Sequence, residues 1–298
     1  MIGIRKWRKG IFMNNALEVE GLCKSYRDFR LDSVHLTLPA GNIMGFVGQN
    51  GAGKTTTIRC ILNMATRESG TIRVFGLDNI KDELAVKQEL AAVFDEIFFV
   101  ENWRLKEVEK AIQGFYAKWD SRLYADYLEK FELPANRQVK ELSRGMKMKL
   151  MLAVAMCHEA KLLILDEPTS GLDPVARDEL LGILRDYISD GEKSVFFSTH
   201  ITSDLEHVAD YITLIDHGKI FYTGSKDGLL DHFCIIKGGR DDLTDELKKK
   251  VIGLALVSNG FNGMIHSTDA PGLSAGIDVE HPSIDEILVH ISKEGGAE

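Results

Sequence analysis

The chain has 298 residues, 44% of them hydrophobic and 27% charged, with a formal net charge of −9. That length suits one large domain with a smaller one, and the acidic balance argues against a nucleic-acid binder, whose domain is ordinarily basic. Cys23, Cys60, Cys157 and Cys234 lie far apart with no C-x-x-C pair, which argues against a disulfide framework or a metal set, and no run approaches the ~20 apolar residues of a membrane helix.

Residues 1–15 read as a solvated extension. Arg5, Lys6, Arg8 and Lys9 precede no apolar h-region, so this is not a secretory signal; Trp7 among these bases leaves membrane-surface contact open, and Met13 stays open as the natural start. Leu17–Glu20 and Leu31–Leu38 alternate, and with the turn at Pro39-Ala40-Gly41 they predict a small antiparallel sheet. Ile43–Val47 is an apolar strand, followed by a glycine-rich loop and a helix over Thr55–Met64. Gly70–Gly76 holds another short strand.

From Asp82 to Lys149 the character is helical, with three- and four-residue spacings over Leu105–Trp119 and Arg122–Phe131 and a break at Pro134. A short strand, Leu90–Phe94, lies within it, and a buried helix spans Gly145–Cys157. Lys161–Asp166 is an unbroken apolar run ending in an acid, the pattern of a buried parallel strand. Pro174–Ile188 is a helix with Pro at its start, Ser194–Thr199 a second buried strand, and Tyr211–Asp216 with Lys219–Thr223 a hairpin around His217-Gly218. Beyond Gly224 the pattern loosens. Leu243–Val251 reads as a charged helix, Ala255–Val257 as a strand, and Ser283–Lys293 as a Ser-capped amphipathic helix, so the tail is a small α+β appendage.

The glycine-rich loop carries the strongest chemistry. Gly48-Gln49-Asn50-Gly51-Ala52-Gly53-Lys54-Thr55-Thr56 is a G-x-x-x-x-G-K-[ST] phosphate-binding loop (P-loop) between a strand and a helix. Glycines let successive N–H groups face a phosphate chain, and the helix adds the positive end of its dipole. Lys54 can reach the β- and γ-phosphates and the Thr55 hydroxyl can ligate Mg²⁺. Asp166 ends its strand where it can hold Mg²⁺, and Glu167, one residue on, can orient the attacking water or take its proton. Alone, such an acidic pair would as readily cap a strand at the surface. Leu142-Ser143-Arg144-Gly145 at a helix start, Ser170-Gly171-Leu172-Asp173 and the strand-end His200 each have a plain structural reading too. Their order behind a P-loop makes them a series.

From Leu17 to Ser225 this series resembles the nucleotide-binding subunit of ATP-binding cassette (ABC) transporters. The resemblance implies an α/β fold with a P-loop NTPase core, an antiparallel β subdomain and an α-helical signature subdomain over about 82–149. The cassette would occupy 16–225, with a C-terminal accessory region at 226–298. It implies ATP bound by Tyr26, which matches the aromatic that stacks on adenine, and by Gly48, Asn50, Gly51, Ala52, Gly53, Lys54, Thr55 and Thr56. Ser143 and Gly145 would bind the γ-phosphate held by a second cassette subunit, in a homodimer. Glu167, His200 and Lys54 would be catalytic, and Thr55, Asp166 and Asp95 would face Mg²⁺.

Two positions depart from the pattern. Arg144 stands where a glycine is usual, and Asp95 where the family has a glutamine that senses Mg²⁺ and γ-phosphate. The implied partner is a separate membrane permease of the multidrug, antibiotic-peptide and polysaccharide exporter branch. The subunit would then be cytoplasmic and peripheral on the inner membrane face. A cassette ATPase outside transport, or a regulatory module that binds ATP and barely cleaves it, stay open as alternatives, the second because of Asp95 and Arg144.

Overall fold

The structure, a computed structural model, describes residues 15–295; the basic stretch of the N-terminal extension lies outside them. The alternating stretches at the start pair as strands β1 (Asn15–Tyr26) and β2 (Phe29–Pro39), antiparallel about a tight turn that sets Tyr26 opposite Phe29. The five residues of β3 (Ile43–Val47) are all buried, and the P-loop carries the chain from it into α1 (Lys54–Ile61). β4 (Ser69–Val74) returns to the free edge of β1 and β5 (Leu77–Asp78) completes a four-stranded sheet in the order β2-β1-β4-β5.

The stretch read as helical opens with α2 (Glu83–Glu89), then inserts β6 (Leu90–Val93) into the main sheet before α3 (Leu105–Ile112) and α4 (Ser121–Lys130). α3 stops earlier than its apolar spacing predicts: the chain passes into a 3-10 turn at Gln113–Phe115, where Gly114 favours leaving the helix. α4 is capped by Asp120, which accepts from Arg122 N and Leu123 N at 2.9 Å each. α5 (Arg144–Met156) is buried along its C-terminal half, as its run of apolar residues requires.

β7 (Leu162–Asp166), α6 (Pro174–Tyr187), β8 (Ser194–Thr199) and α7 (Thr202–Val208) follow, and then the hairpin β9 (Tyr211–Asp216) and β10 (Lys219–Ser225). The six-stranded sheet has the order β10-β9-β3-β8-β7-β6 and is parallel except at the hairpin. β3, β7 and β8 are buried on both faces, which is why their sequences show unbroken apolar runs rather than alternation.

The tail begins with a helix that its loose pattern did not suggest, α8 (Lys226–His232), capped by the Ser225 hydroxyl accepting from Gly228 N at 3.1 Å. β11 (Phe233–Gly238), α9 (Asp245–Lys248), β12 (Ile252–Val257), β13 (Gly260–His266), β14 (Asp278–Glu280) and α10 (Ile284–Gly295) complete the chain. The charged helix expected over Leu243–Val251 is limited to the four residues of α9.

The tail strands form a third, antiparallel sheet in the order β12-β13-β11-β14. Phe233, Ile235, Met264 and the α10 residues Ile284, Ile287 and Ile291 join the main core, whereas Cys234, Ile236, Phe261 and Ile265 pack into a small core of their own. This last sheet therefore packs on the rest of the described chain by one face. Among the described residues no helix is long and apolar enough to cross a membrane.

Candidate functional site

The main sheet brings the chemistry together at one edge. In the parallel register Val47 lies opposite Thr199, and Asp166 opposite Ser198. The residues that follow the ends of β3, β7 and β8 therefore converge, although Gly48, Glu167 and His200 are far apart in sequence. Ligands of open α/β sheets bind in this place, beyond the carboxyl ends of the strands.

The P-loop is shaped by what its glycines must avoid. A Cβ at Gly48 would lie 2.3 Å from Ile215 O, and Gly53 has φ +115° with a would-be Cβ 2.8 Å from the ring of Phe29. Gly51, at φ +85°, faces open space. Ala52 N donates to Gln49 O at 3.1 Å and closes the loop, while Gly218 N, at the tip of the β9–β10 hairpin, donates to Ala52 O at 3.0 Å. α1 starts at Gly53 without a side-chain cap or an acidic residue in its first turn, so its leading N–H groups remain available to an anion.

Lys54 is buried, and its ammonium donates to Gly48 O at 2.7 Å and lies 3.2 Å from Glu167 Oε1. The other Glu167 oxygen is 2.7 Å from His200 Nδ1. Glu167 is held at φ +54°, a left-handed conformation unusual for a non-glycine residue, while its N–H donates to Ser198 O at 2.9 Å. Backbone strain of this kind costs on the order of 1–3 kcal/mol and collects at functional sites. Here it turns the carboxylate between lysine and histidine.

Asp166 is also buried. Its Oδ2 accepts from the Thr55 hydroxyl at 2.8 Å and its Oδ1 from the Ser198 hydroxyl at 3.0 Å. Burial pushes its pKa up and the charge of Glu167 adds to this, while the bonds from Thr55 and Ser198 and the Lys54 ammonium pull it back. A cation beside it would favour the ionised form, and this carboxylate and the Thr55 hydroxyl would then offer two hard oxygens to a small divalent metal.

The other expected residues lie on a more exposed surface. Ser143 caps α5, its hydroxyl accepting from Met146 N at 3.3 Å. Gly145 packs on the start of α6, where a Cβ would stand 3.2 Å from that of Ala176. Asp173 caps α6, accepting from Val175 N and Ala176 N at 3.0 Å each. Among the described residues neither Ser143 nor Arg144 is hydrogen-bonded to the P-loop. Asp95, expected at a metal, is not bonded to Thr55 or Asp166. Its carboxylate pairs with Arg144, because α5 begins beside the exit of β6. As an exposed ion pair this contributes about 0–1 kcal/mol.

Tyr26 is exposed at the end of β1, with the Lys24 ammonium 5.1 Å from its ring centroid. Phe29, across the turn, is the aromatic that lies against Gly53, and the sequence reading missed it. It also missed Ser198, which the parallel register sets opposite Asp166, and Gln49, whose amide donates to Ser292 on α10. Asn50 is exposed at the loop tip and Thr56 is half-buried in α1.

A family model described as ABC transporter matches residues 31–170. The chain is 32% identical over 214 residues to the bacitracin transport ATP-binding protein BcrA of Bacillus licheniformis, covering 70% of this chain and 69% of that protein. It is 33% identical over 215 residues to the lantibiotic transport ATP-binding protein SrtF of Streptococcus pyogenes, covering 71% of this chain and 92% of that protein. A solved structure described as the ATP binding subunit of an ABC transporter superposes with a TM-score of 0.65 at 27% identity, covering 72% of this chain and 91% of the other.

Proposed function

Because the chain belongs to the ABC transporter family, as an ATP-hydrolysing subunit, we propose that it powers a separate membrane permease of the exporter type by closing head to tail on a second copy of itself around two ATP molecules. The observation that carries this reading is the split between its two sets of nucleotide-facing groups. Lys54, Thr55, Asp166, Glu167 and His200 form one connected cluster, whereas Ser143 and Gly145 stand apart from it on their own helix start. One chain thus holds the larger part of one site and the remainder of another.

Within the cluster each residue has a task. The P-loop amides and the start of α1 hold the phosphates. Lys54 binds the β- and γ-phosphates, and a triphosphate competes with Glu167 for its ammonium. Glu167 Oε1, once released, orients a water for in-line attack and takes its proton. His200, on the other carboxylate oxygen, keeps Glu167 turned toward the phosphate. Thr55 and Asp166 would hold Mg²⁺, which when bound neutralises charge building on the phosphate oxygens. Two protein oxygens would suit this ion, since Mg²⁺ is generally held by few protein groups. Tyr26 and Phe29 offer aromatic faces to the base.

An apolar groove between α1, α2 and β6 supports the permease as partner. It encloses about 550 Å³ and is lined by Met64, Leu84, Leu90, Phe94, Phe115 and Tyr116 among others. Leu84 and Phe115, both lining it, are 83% and 77% exposed. We assign this groove to an apolar segment of the permease on the cytoplasmic membrane face. A relative 30% identical over 236 residues is described as a Nod factor export ATP-binding protein, which favours export over import.

The test is kinetic. Hydrolysis by the isolated subunit is expected to rise more steeply than linearly with protein concentration, and to increase further when its permease is added in lipid. A rate strictly proportional to concentration and indifferent to the permease would overturn the proposal.

A further inference from the structure

The two departures from the family pattern meet. Arg144 opens α5 and Asp95 lies just beyond β6, 49 residues away, and their side chains are ion-paired. The guanidinium also lies against the loop that runs from Glu167 to Asp173. Gly171 has φ +67° there, and a Cβ on it would stand 2.9 Å from Arg144 Cζ and 3.0 Å from Nε. One side chain therefore ties together the exit of β6, the start of α5 and the 170–173 loop. The paired side chains are 49% and 46% exposed, so water and anions reach them.

The charges account for each other. Held by Asp95, the guanidinium already has a carboxylate partner; released beside Ser143, it would attract a phosphate. Arginine recognises carboxylate and phosphate with the same planar fork, so one can replace the other on it.

We propose that Asp95 and Arg144 are a positioning pair that sets when two subunits close. In the single subunit Asp95 holds the guanidinium on its own chain. In the sandwich the guanidinium exchanges Asp95 for the terminal phosphate of the ATP held by the second copy. Asp95 then opposes closure only through Arg144, and closure carries the salt dependence of a charge-for-charge exchange. The inference rests on the head-to-tail reading above.

The experiment uses the hydrolysis-arrested Glu167→Gln protein and follows ATP-dependent dimerisation by sedimentation at low and high salt. Asp95→Asn, which keeps the side-chain shape on an exposed surface, is expected to lower the ATP concentration at half-dimerisation by about two- to fivefold, the range an exposed ion pair carries. Arg144→Gly should raise that concentration and flatten its salt dependence. In the double variant Asp95→Asn should have no further effect. An Asp95→Asn effect of equal size with and without Arg144 would overturn the exchange and place Asp95 at the metal or the phosphate itself. A Glu167→Gln protein that never dimerises with ATP would instead overturn the sandwich itself, and the exchange with it.

Discussion

The P-loop end of this molecule and the α5 end handle polar groups in opposite ways. At the first, Lys54 and Asp166 are each 6% exposed, and their charges are met within the chain by Glu167, Thr55 and Ser198. At the second, Ser143 and Arg144 lie in the open; the serine caps its own helix and the arginine pairs with an exposed carboxylate. Fixed dipoles and charges in a dry setting stabilise a transition state far more than the same groups in water. Burial at one end and exposure at the other are what the proposed reaction centre and docking half require, and the contrast can be broken residue by residue.

The largest effect is expected at Glu167. Glu167→Gln keeps the side-chain shape but loses the base, and turnover should fall by about 10²–10⁴-fold while ATP binding persists, as measured by steady-state hydrolysis and nucleotide titration. Turnover like that of the parent would remove Glu167 from the reaction. Lys54→Ala should lower turnover by about 10²–10³-fold and weaken ATP binding to the single subunit as well, since the ammonium meets both ground state and transition state. If ATP bound as tightly without it, the buried end would not be the phosphate site.

Ser143→Ala sharpens the comparison from the other side. ATP binding to the single subunit should stay unchanged while ATP-dependent dimerisation weakens, and loss of the α5 cap should lower stability by about 1 kcal/mol in thermal unfolding. Weakened binding to the monomer would mean that the two ends serve one site.

The smallest effect concerns stability and pH. Asp166 is raised in the fold, chiefly by burial, so the native state holds its proton to higher pH than the unfolded chain. Its contribution is therefore favourable at low pH and is lost as pH climbs from the ordinary carboxylate range through the raised value. Asp166→Asn should remove this penalty, so that without nucleotide it melts above the parent at neutral pH and has a flatter profile across that window. A melting temperature equal to or below that of the parent at neutral pH would show that Asp166 carries no such penalty.

Local sequence announced some of this well and other parts hardly at all. The P-loop, the Asp166-Glu167 strand end and the runs of β3, β7 and β8 are contiguous, and their physics is written in adjacent residues. Their convergence follows from parallel pairing, which an ordered series of apolar strands implies. By contrast the partner of Arg144 lies 49 residues away and that of Gln49 lies 243 away, and nothing within a window of sequence couples them. α3 ended early because one glycine outweighed an apolar spacing, and α8 escaped notice although Ser225 stood ready to cap it. Phe29 carries no local signal because its place depends on the space left beside Gly53, a property of two segments at once.

α10 links the last part of the chain to the first. Ser292 is hydrogen-bonded to Gln49 of the P-loop, Asp285 accepts from Thr202 at 3.3 Å just after His200, and Gly253 is gripped by α10 through His290 and Glu294 at 2.9 and 2.7 Å. On the ribosome the P-loop emerges long before Ser292, so a nascent subunit meets cellular ATP with its loop unsupported on that side. The Gln49–Ser292 support arrives only when α10 docks. A protein shortened at Ser225 to isolate the cassette would resemble that unfinished chain rather than the mature one.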